Sequence, residues 1–148
     1  MKTDPLRRMH SAEHLLNGTM VKTFQCERSF SAHINKKKGK CDYEFERNLT
    51  EEETRDLEER INQVIESRMP VCETMENRSE AEKAYNLKRL PESVGNEIRV
   101  IRIGDYDAVP CIGEHVDNTS QIGRFRIVSS DYENGVLRVR FKLSEPEQ

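Results

Sequence analysis

Pro110-Cys111-Ile112-Gly113-Glu114-His115-Val116 sets a thiol and an imidazole four residues apart, and far upstream His10-Ser11-Ala12-Glu13-His14 sets two imidazoles at the same separation. On a helix, residues i and i+4 share a face with their Cβ atoms about 5–6 Å apart, near enough for both side chains to reach one ion. Three of the four histidines in the protein fall within these two pairs. His10, His14, Cys111 and His115 together offer three nitrogens and one sulfur, a set that suits zinc. Each pair alone has an ordinary explanation, because a lone cysteine usually behaves as a small buried hydrophobe. Their concentration in a chain poor in both residue types favours one shared ion. A fold that satisfies it must bring residue 10 beside residue 115. Gly113 permits a tight backbone inside the second pair, and Pro110 biases Val109 away from helix.

The 148 residues fit one domain, 1–148, with a polar tail from about residue 144. Apolar and charged residues each make up 34%, so a modest core under a heavily ionised surface is expected. The net charge of −3 argues against a broad grip on nucleic acid, and DNA is not an expected partner. Lys36, Lys37, Lys38 and Lys40 nevertheless cluster around Gly39, as a solvated hairpin tip or a phosphate contact. No apolar run approaches a membrane span and no signal-peptide core follows Met1, so a cytoplasmic protein without membrane contact is expected. Cys26, Cys41, Cys72 and Cys111 form no CxxC and read as reduced thiols. The oligomeric state stays open.

Periodicity gives the elements. Leu6, Met9, Leu15, Leu16, Met20, Val21 and Phe24 mark an amphipathic helix over about 5–24, opened by Asp4-Pro5. Residues 29–34 and 41–46 read as strands joined by the lysine-rich turn. Thr50 and Glu53 form a capping box for a helix that stops before Pro70, with Leu57, Ile61, Val64, Ile65 and Met69 as its core stripe. A short strand at 71–75 precedes a helix capped at Ser79 and ending near 87–90. Ile98 to Ile103 is a buried strand, followed by a loop at 104–107 that delivers Cys111. After a polar loop at 118–123, Phe125, Ile127 and residues 136–143 form a hairpin across Glu133-Asn134-Gly135. The expected fold class is α+β, a mixed or antiparallel sheet packed with helices.

A site with four protein ligands is the structural zinc pattern, whereas catalytic zinc keeps a position open. Histidine-rich ligands on separate elements beside a polar loop nevertheless resemble a pocket wall more than a staple. Zinc in such a wall would lower the pKa of a bound water to about 7 and polarise an ester carbonyl. Between the ligands stand Glu13 and Glu114. Glu114 is the better candidate for orienting a water or an amine, because the Glu13 position points partly away from the ligand face. His10 to His14 also fits the HxxEH pattern of inverted zincins, a reading that leaves Cys111 and His115 unexplained. A non-catalytic zinc-binding module is a further alternative.

His-Ser-Ala-Glu-His-Leu-Leu at 10–16, Cys-Ile-Gly-Glu-His-Val at 111–116 and Ile-Gly-Arg-Phe-Arg-Ile at 122–127 resemble the editing domain of alanyl-tRNA synthetase, the free-standing AlaX trans-editing proteins and the related threonyl-tRNA synthetase editing domain. The resemblance covers nearly the whole chain, and a chain of this length is most similar to the small AlaX type. It implies zinc-dependent hydrolysis, in trans, of a mischarged tRNA bound by its acceptor end. The implied substrate is Ser-tRNA(Ala) or Gly-tRNA(Ala), with Ser-tRNA(Thr) or another aminoacyl ester as the alternative. By carry-over His10, His14, Cys111 and His115 hold the zinc, which binds the substrate amino group or activates water. Ser31 and His33, on the strand expected to face the site, are the candidates for telling a serine hydroxyl from a methyl, with His33 also a catalytic candidate. Thr119 and Gln121 come second. An unpartnered buried donor costs about 1–3 kcal/mol, which gives such residues their discriminating power. Here Ile112 and Glu114 replace a glycine and the threonine of the family's Cys-Gly-Gly-Thr-His. Ser29-Phe30-Ser31-Ala32-His33 stands where alanyl editing domains often carry a glutamine, and the glycine-rich tRNA-contacting motif of longer AlaX proteins is absent.

Overall fold

The computed structural model describes residues 4–85, 87 and 95–145. Helix α1 (Pro5–Phe24) opens where the Asp4 carboxylate accepts from the Leu6 amide at 2.8 Å, with Pro5 in the first turn. Strands β1 (Ser31–Ile34) and β2 (Gly39–Glu44) pair antiparallel across the lysine-rich turn, where Asn35 Oδ1 accepts from the Lys37 and Lys38 amides. The second strand begins two residues earlier than expected, because Gly39 and Lys40 pair with Phe141 and Arg140. Gly39 carries no side chain there for packing reasons: a Cβ would lie 2.6 Å from the Phe141 ring.

Helix α2 (Glu51–Glu66) carries the expected reciprocal capping box between Thr50 and Glu53 and buries Leu57, Ile61, Val64 and Ile65. Strand β3 (Val71–Asn77) runs into α3 (Arg78–Ala84) without a break. Asn77, not Ser79, caps this short helix, because its Oδ1 accepts from the Ser79 amide at 2.9 Å. The helix ends at Ala84, where Tyr85 turns extended; residues 88–90, expected near its end, lie outside the described residues. Strands β4 (Glu97–Ile103) and β5 (Asp107–Pro110) pair antiparallel. The long hairpin of β6 (Arg124–Glu133) and β7 (Val136–Ser144) turns at Asn134 and Gly135, both at positive φ, as the Asn-Gly pair requires.

Among the described residues all pairings are antiparallel and the strands form two sheets, in the orders β1-β2-β7-β6 and β3-β4-β5. The architecture is α+β, with two sheets in place of the single sheet expected. The main core joins the inner face of the four-stranded sheet (Cys41, Tyr43, Leu137, Val139, Phe141) to Leu15, Leu16 and Met20 of α1 and Leu57 and Ile61 of α2. A smaller cluster of Ala81, Ile98 and Val100 holds α3 to the three-stranded sheet.

Helix α1 is more deeply set than its amphipathic pattern announces: Ser11 through Met20 are all buried. The polar residues of its second face have local partners. Ser11 Oγ donates to the Arg7 carbonyl, Thr19 Oγ1 to the Leu15 carbonyl, and Asn17 Oδ1 accepts from the Ser29 amide. At Gly18 a Cβ would stand 3.1 Å from the Asp107 carboxyl carbon, so the missing side chain is what lets β5 approach the helix. The tail expected to fray at 144 is anchored where it begins, because the buried Arg8 guanidinium donates to the Ser144 and Ile122 carbonyls. No helix among the described residues is long and apolar enough to cross a membrane.

Candidate metal centre

Burial of α1 fixes its first two turns, and with them His10 and His14. The second pair arrives on the loop after β5, which four hydrogen bonds pin down. The Cys111 amide donates to the Arg99 carbonyl at 3.1 Å. Arg99 Nη1 in turn donates to the carbonyls of Cys111 (3.2 Å) and Gly113 (2.6 Å). The Val116 amide donates to Ser11 Oγ at 3.0 Å, fastening the end of the loop to α1. The loop passes so close to the helix that a Cβ on Gly113 would lie 1.9 Å from His10 Cε1. Position 113 therefore has to be glycine for contact reasons, beyond the backbone freedom read from sequence.

One potential ligand atom from each of His10, His14, Cys111 and His115 falls within 4.8 Å of all the others, so the structure brings the four predicted ligands together. The three imidazoles lie with ring centroids 4.5–4.9 Å apart. Cys111 Sγ is 3.6 Å from His10 Nε2 and accepts from the Gly113 amide at 3.4 Å. His10 Nδ1 stands 3.1 Å from the Glu114 carbonyl, which assigns the ring proton to Nδ1 and leaves Nε2 for the cluster. Both ring nitrogens of His115 are buried without a hydrogen-bond partner among the described residues. Nitrogen donors and a thiol around such buried polar atoms fit a zinc ion, which takes N and S ligands.

At His115 and Cys111 the electrostatics agree with that fit, whereas at His10 they favour a proton on Nε2 that a bound ion would displace. Burial, then the nearby cations of His10 and Arg99, depress His115 to about 3, so it is a neutral imidazole with a lone pair. Burial alone would raise the Cys111 thiol, but hydrogen bonds from His10 and the Gly113 amide bring it below its ordinary value. At His10 burial pulls the pKa down, yet Cys111, Glu13 and the Glu114 carbonyl outweigh it and hold it raised.

A cleft of about 340 Å³ opens beside the cluster, lined by Asp4, Leu6, Arg7, His10, Glu13, Ala32, Ile34, Gly113 and Glu114. Glu114 is at its rim, with a largely exposed side chain paired to Arg7 at 3.2 Å. Glu13, which the sequence reading turned away from the ligands, is buried and reaches within 3.8 Å of His10 Nε2. The loop wraps over that flank of α1, so a position beside the ligand stripe still faces the cleft.

The expected substrate residues are placed differently. Ala32 and Ile34 face the cleft, while Ser31 and His33 take the alternate positions of β1 and lie outside its lining. Ala32 pairs with the core residue Cys41, and this register turns Ser31 and His33 to the outer face. Thr119 is wholly buried and serves the end of α2: its Oγ1 donates to the Val64 and Ile65 carbonyls and accepts from the Met69 amide. Gln121 Oε1 accepts from the Asp117 and Asn118 amides and caps its own loop. Arg99, which sets the Cys111 loop, escaped the sequence reading; its one signal is an arginine alternating with buried Ile98 and Val100 on a core strand.

Fold and site together define an α+β protein with a three-histidine, one-cysteine cluster facing a small cleft. Residues 98–139 match the family described as "Threonyl and Alanyl tRNA synthetase second additional domain". Over 141 residues, 92% of its length, the chain is 35% identical to an alanine–tRNA ligase of Saccharolobus islandicus. It is 36% identical over 113 residues, 74% of its length, to that of Aeropyrum pernix, and 32% identical over 117 residues, 77% of its length, to that of Methanopyrus kandleri. The chain spans only 16%, 13% and 13% of these relatives' lengths, so the likeness concerns one part of each ligase. It is an alanyl-tRNA synthetase editing-domain-like protein, as the two ligand pairs and their flanks imply.

Proposed function

We propose that this chain hydrolyses mischarged aminoacyl-tRNA in trans, with Ser-tRNA(Ala) or Gly-tRNA(Ala) as substrate and zinc as cofactor. The observation that carries this reading is the convergence of His10, His14, Cys111 and His115 within 4.8 Å beside an open cleft. The likeness to a segment of alanine–tRNA ligases supports tRNA as the substrate carrier. A zinc ion held by these four residues would supply Lewis-acid chemistry to an ester carbonyl.

The chain's own residues do the rest. A cleft of about 340 Å³ admits an aminoacyl ester and its terminal nucleoside, not a folded polypeptide. Glu13, buried at the inner end, and Glu114, at the rim, offer carboxylates to the substrate's α-ammonium or to an attacking water. Arg7 holds Glu114 in place. The Glu114 carbonyl keeps the His10 ring in the tautomer whose Nε2 faces the cluster. Ala32 and Ile34 form an apolar wall against the substrate side chain, which limits its size.

The test is deacylation of Ser-, Gly-, Ala- and Thr-charged tRNA(Ala), with and without a chelator. Ser-tRNA(Thr) belongs in the panel, because the matching family spans threonyl and alanyl enzymes. Chelator-sensitive hydrolysis of the seryl or glycyl ester is the expected result. No hydrolysis above the spontaneous rate for any ester sinks the reading, even if the purified protein holds zinc.

A further inference from the structure

The turn between β1 and β2, together with the adjoining end of the four-stranded sheet, carries a set of cations that the hydrolytic site does not use. Register places Lys40 beside Arg140, and Arg126 beside Lys142, all alternating with the core residues Gly39, Phe141, Phe125 and Ile127. Their side chains therefore stand on the outer face of the sheet. Arg126 and Lys142 are exposed, as are Lys36, Lys37 and Lys38 in the turn.

Elsewhere on this face the charges are neutralised locally: Arg138 pairs with Asp42, and Arg140 with Asp131. Lys36, Lys37, Lys38, Lys40, Arg126 and Lys142 form no ion pair among the described residues. The exposed acids Glu44 and Glu133 lie at the opposite end, near the β6–β7 turn, and Glu145, just beyond β7 at the basic end, pairs with Arg8 at 3.5 Å. On a chain of net charge −3, six cations without an ion pair among the described residues, gathered at one end of one sheet, are a segregated positive surface.

That surface borders the cleft. Ile34, a cleft residue, directly precedes the turn, so Lys36 follows within roughly 7 Å along the backbone. We propose that this basic end of the sheet docks the phosphate backbone of an RNA acceptor stem, so that its single-stranded terminus reaches the cleft. The choice of RNA rests on the proposed deacylase reading; the affinity for a polyanion rests on the charges alone. Lysines act on phosphate as point charges without base readout, so the grip is expected to be insensitive to sequence and strongly dependent on salt.

The experiment measures binding of an uncharged acceptor-stem RNA hairpin by fluorescence anisotropy across a salt series. One triple variant carries Lys36→Gln, Lys37→Gln and Lys38→Gln; a second carries Lys40→Gln, Arg126→Gln and Lys142→Gln. Each is expected to bind more weakly and to lower the slope of log K against log salt by about one per phosphate contact removed. A control with Arg55→Gln and Lys83→Gln, exposed positions on α2 and α3, should keep the wild-type slope. Unchanged slopes in both triples, or an equal loss in the control, overturn the proposal. So does a loss confined to anionic lipid vesicles. All substitutions are at exposed or half-exposed positions, and two independent triples keep the test decisive if one variant folds poorly. Because the hairpin is uncharged and nothing is turned over, a protein that fails every deacylation assay still confirms or overturns this surface.

Discussion

Gly113 is where a single atom decides the site. A methyl group there would meet His10 Cε1 at 1.9 Å, with the ring tied by the Glu114 carbonyl and the loop tied by Arg99. Neither side can yield cheaply, and overpacking of this kind costs about 1–3 kcal/mol. Gly113→Ala is expected to lose most of its bound zinc, read as metal per chain by elemental analysis. The double variant with His10→Ala should recover thermal stability but not the metal. Full zinc occupancy in Gly113→Ala means that the ring and the loop do not meet as described. Ile34 tests the wall in the same way. Ile34→Ala should admit larger side chains and shift discrimination between aminoacyl esters by about tenfold or more in kcat/KM. His33→Ala, on the outer face, should leave that ratio in place. The ligands were legible in sequence because their residue types are scarce here and their spacing is helical. The wall was not, since a four-residue strand shows its alternation but not which phase turns inward; that is settled by Ala32 lying opposite Cys41.

Helix α2 shows an element whose start is written out in local chemistry. Thr50 Oγ1 accepts from the Glu53 amide at 3.1 Å, and Glu53 Oε1 accepts from the Thr50 amide at 2.9 Å. Arg47 adds a two-pronged pair at 2.7 and 2.9 Å, and its hydrogen bonds are the main reason the Glu53 carboxyl is lowered to about 2. A folded pKa below the unfolded value of about 4.3 stabilises the fold above that pH, and this contribution is lost as pH falls toward 2. Thermal melts of the wild type and Glu53→Gln should therefore differ most above about pH 4.5 and converge near pH 2. Parallel curves across that range would remove Glu53 from the account of acid sensitivity. The effect should be modest, because the pair lies at the surface. Strand β5 is the opposite case. Asp107-Ala108-Val109-Pro110 has neither length nor clear alternation, and it is a strand because β4 offers a free edge and Gly18 leaves room for Asp107. Those causes lie on other elements, so a local reading sees only a loop.

At the scale of the molecule, the division into two sheets follows from contacts that no single segment contains. Ile98 through Ile103 reads as a buried strand whichever sheet it joins, and only its partners β3 and β5 separate it from the larger sheet. What the sequence did constrain globally was the meeting of residues 10 and 14 with 111 and 115, and that meeting has a thermodynamic consequence. A ligand that binds only the folded state stabilises it by about 4.1 kcal/mol at a free concentration a thousandfold above Kd. For a chain of this size each kcal/mol corresponds to about 2–4 °C in Tm, so saturating zinc should raise the midpoint by about 8–16 °C. The metal-free protein should still melt cooperatively, because Leu15, Leu16 and Met20 hold α1 in a core that extends well beyond the cluster. Calorimetry of metal-free and zinc-loaded protein, repeated with Cys111→Ala, measures this directly. The shift should shrink sharply in the variant, since one of the four donors that tie the loop to α1 is gone. A zinc-independent midpoint in the wild type would show that the four side chains converge without sharing an ion, and the hydrolytic reading would lose its chemical basis.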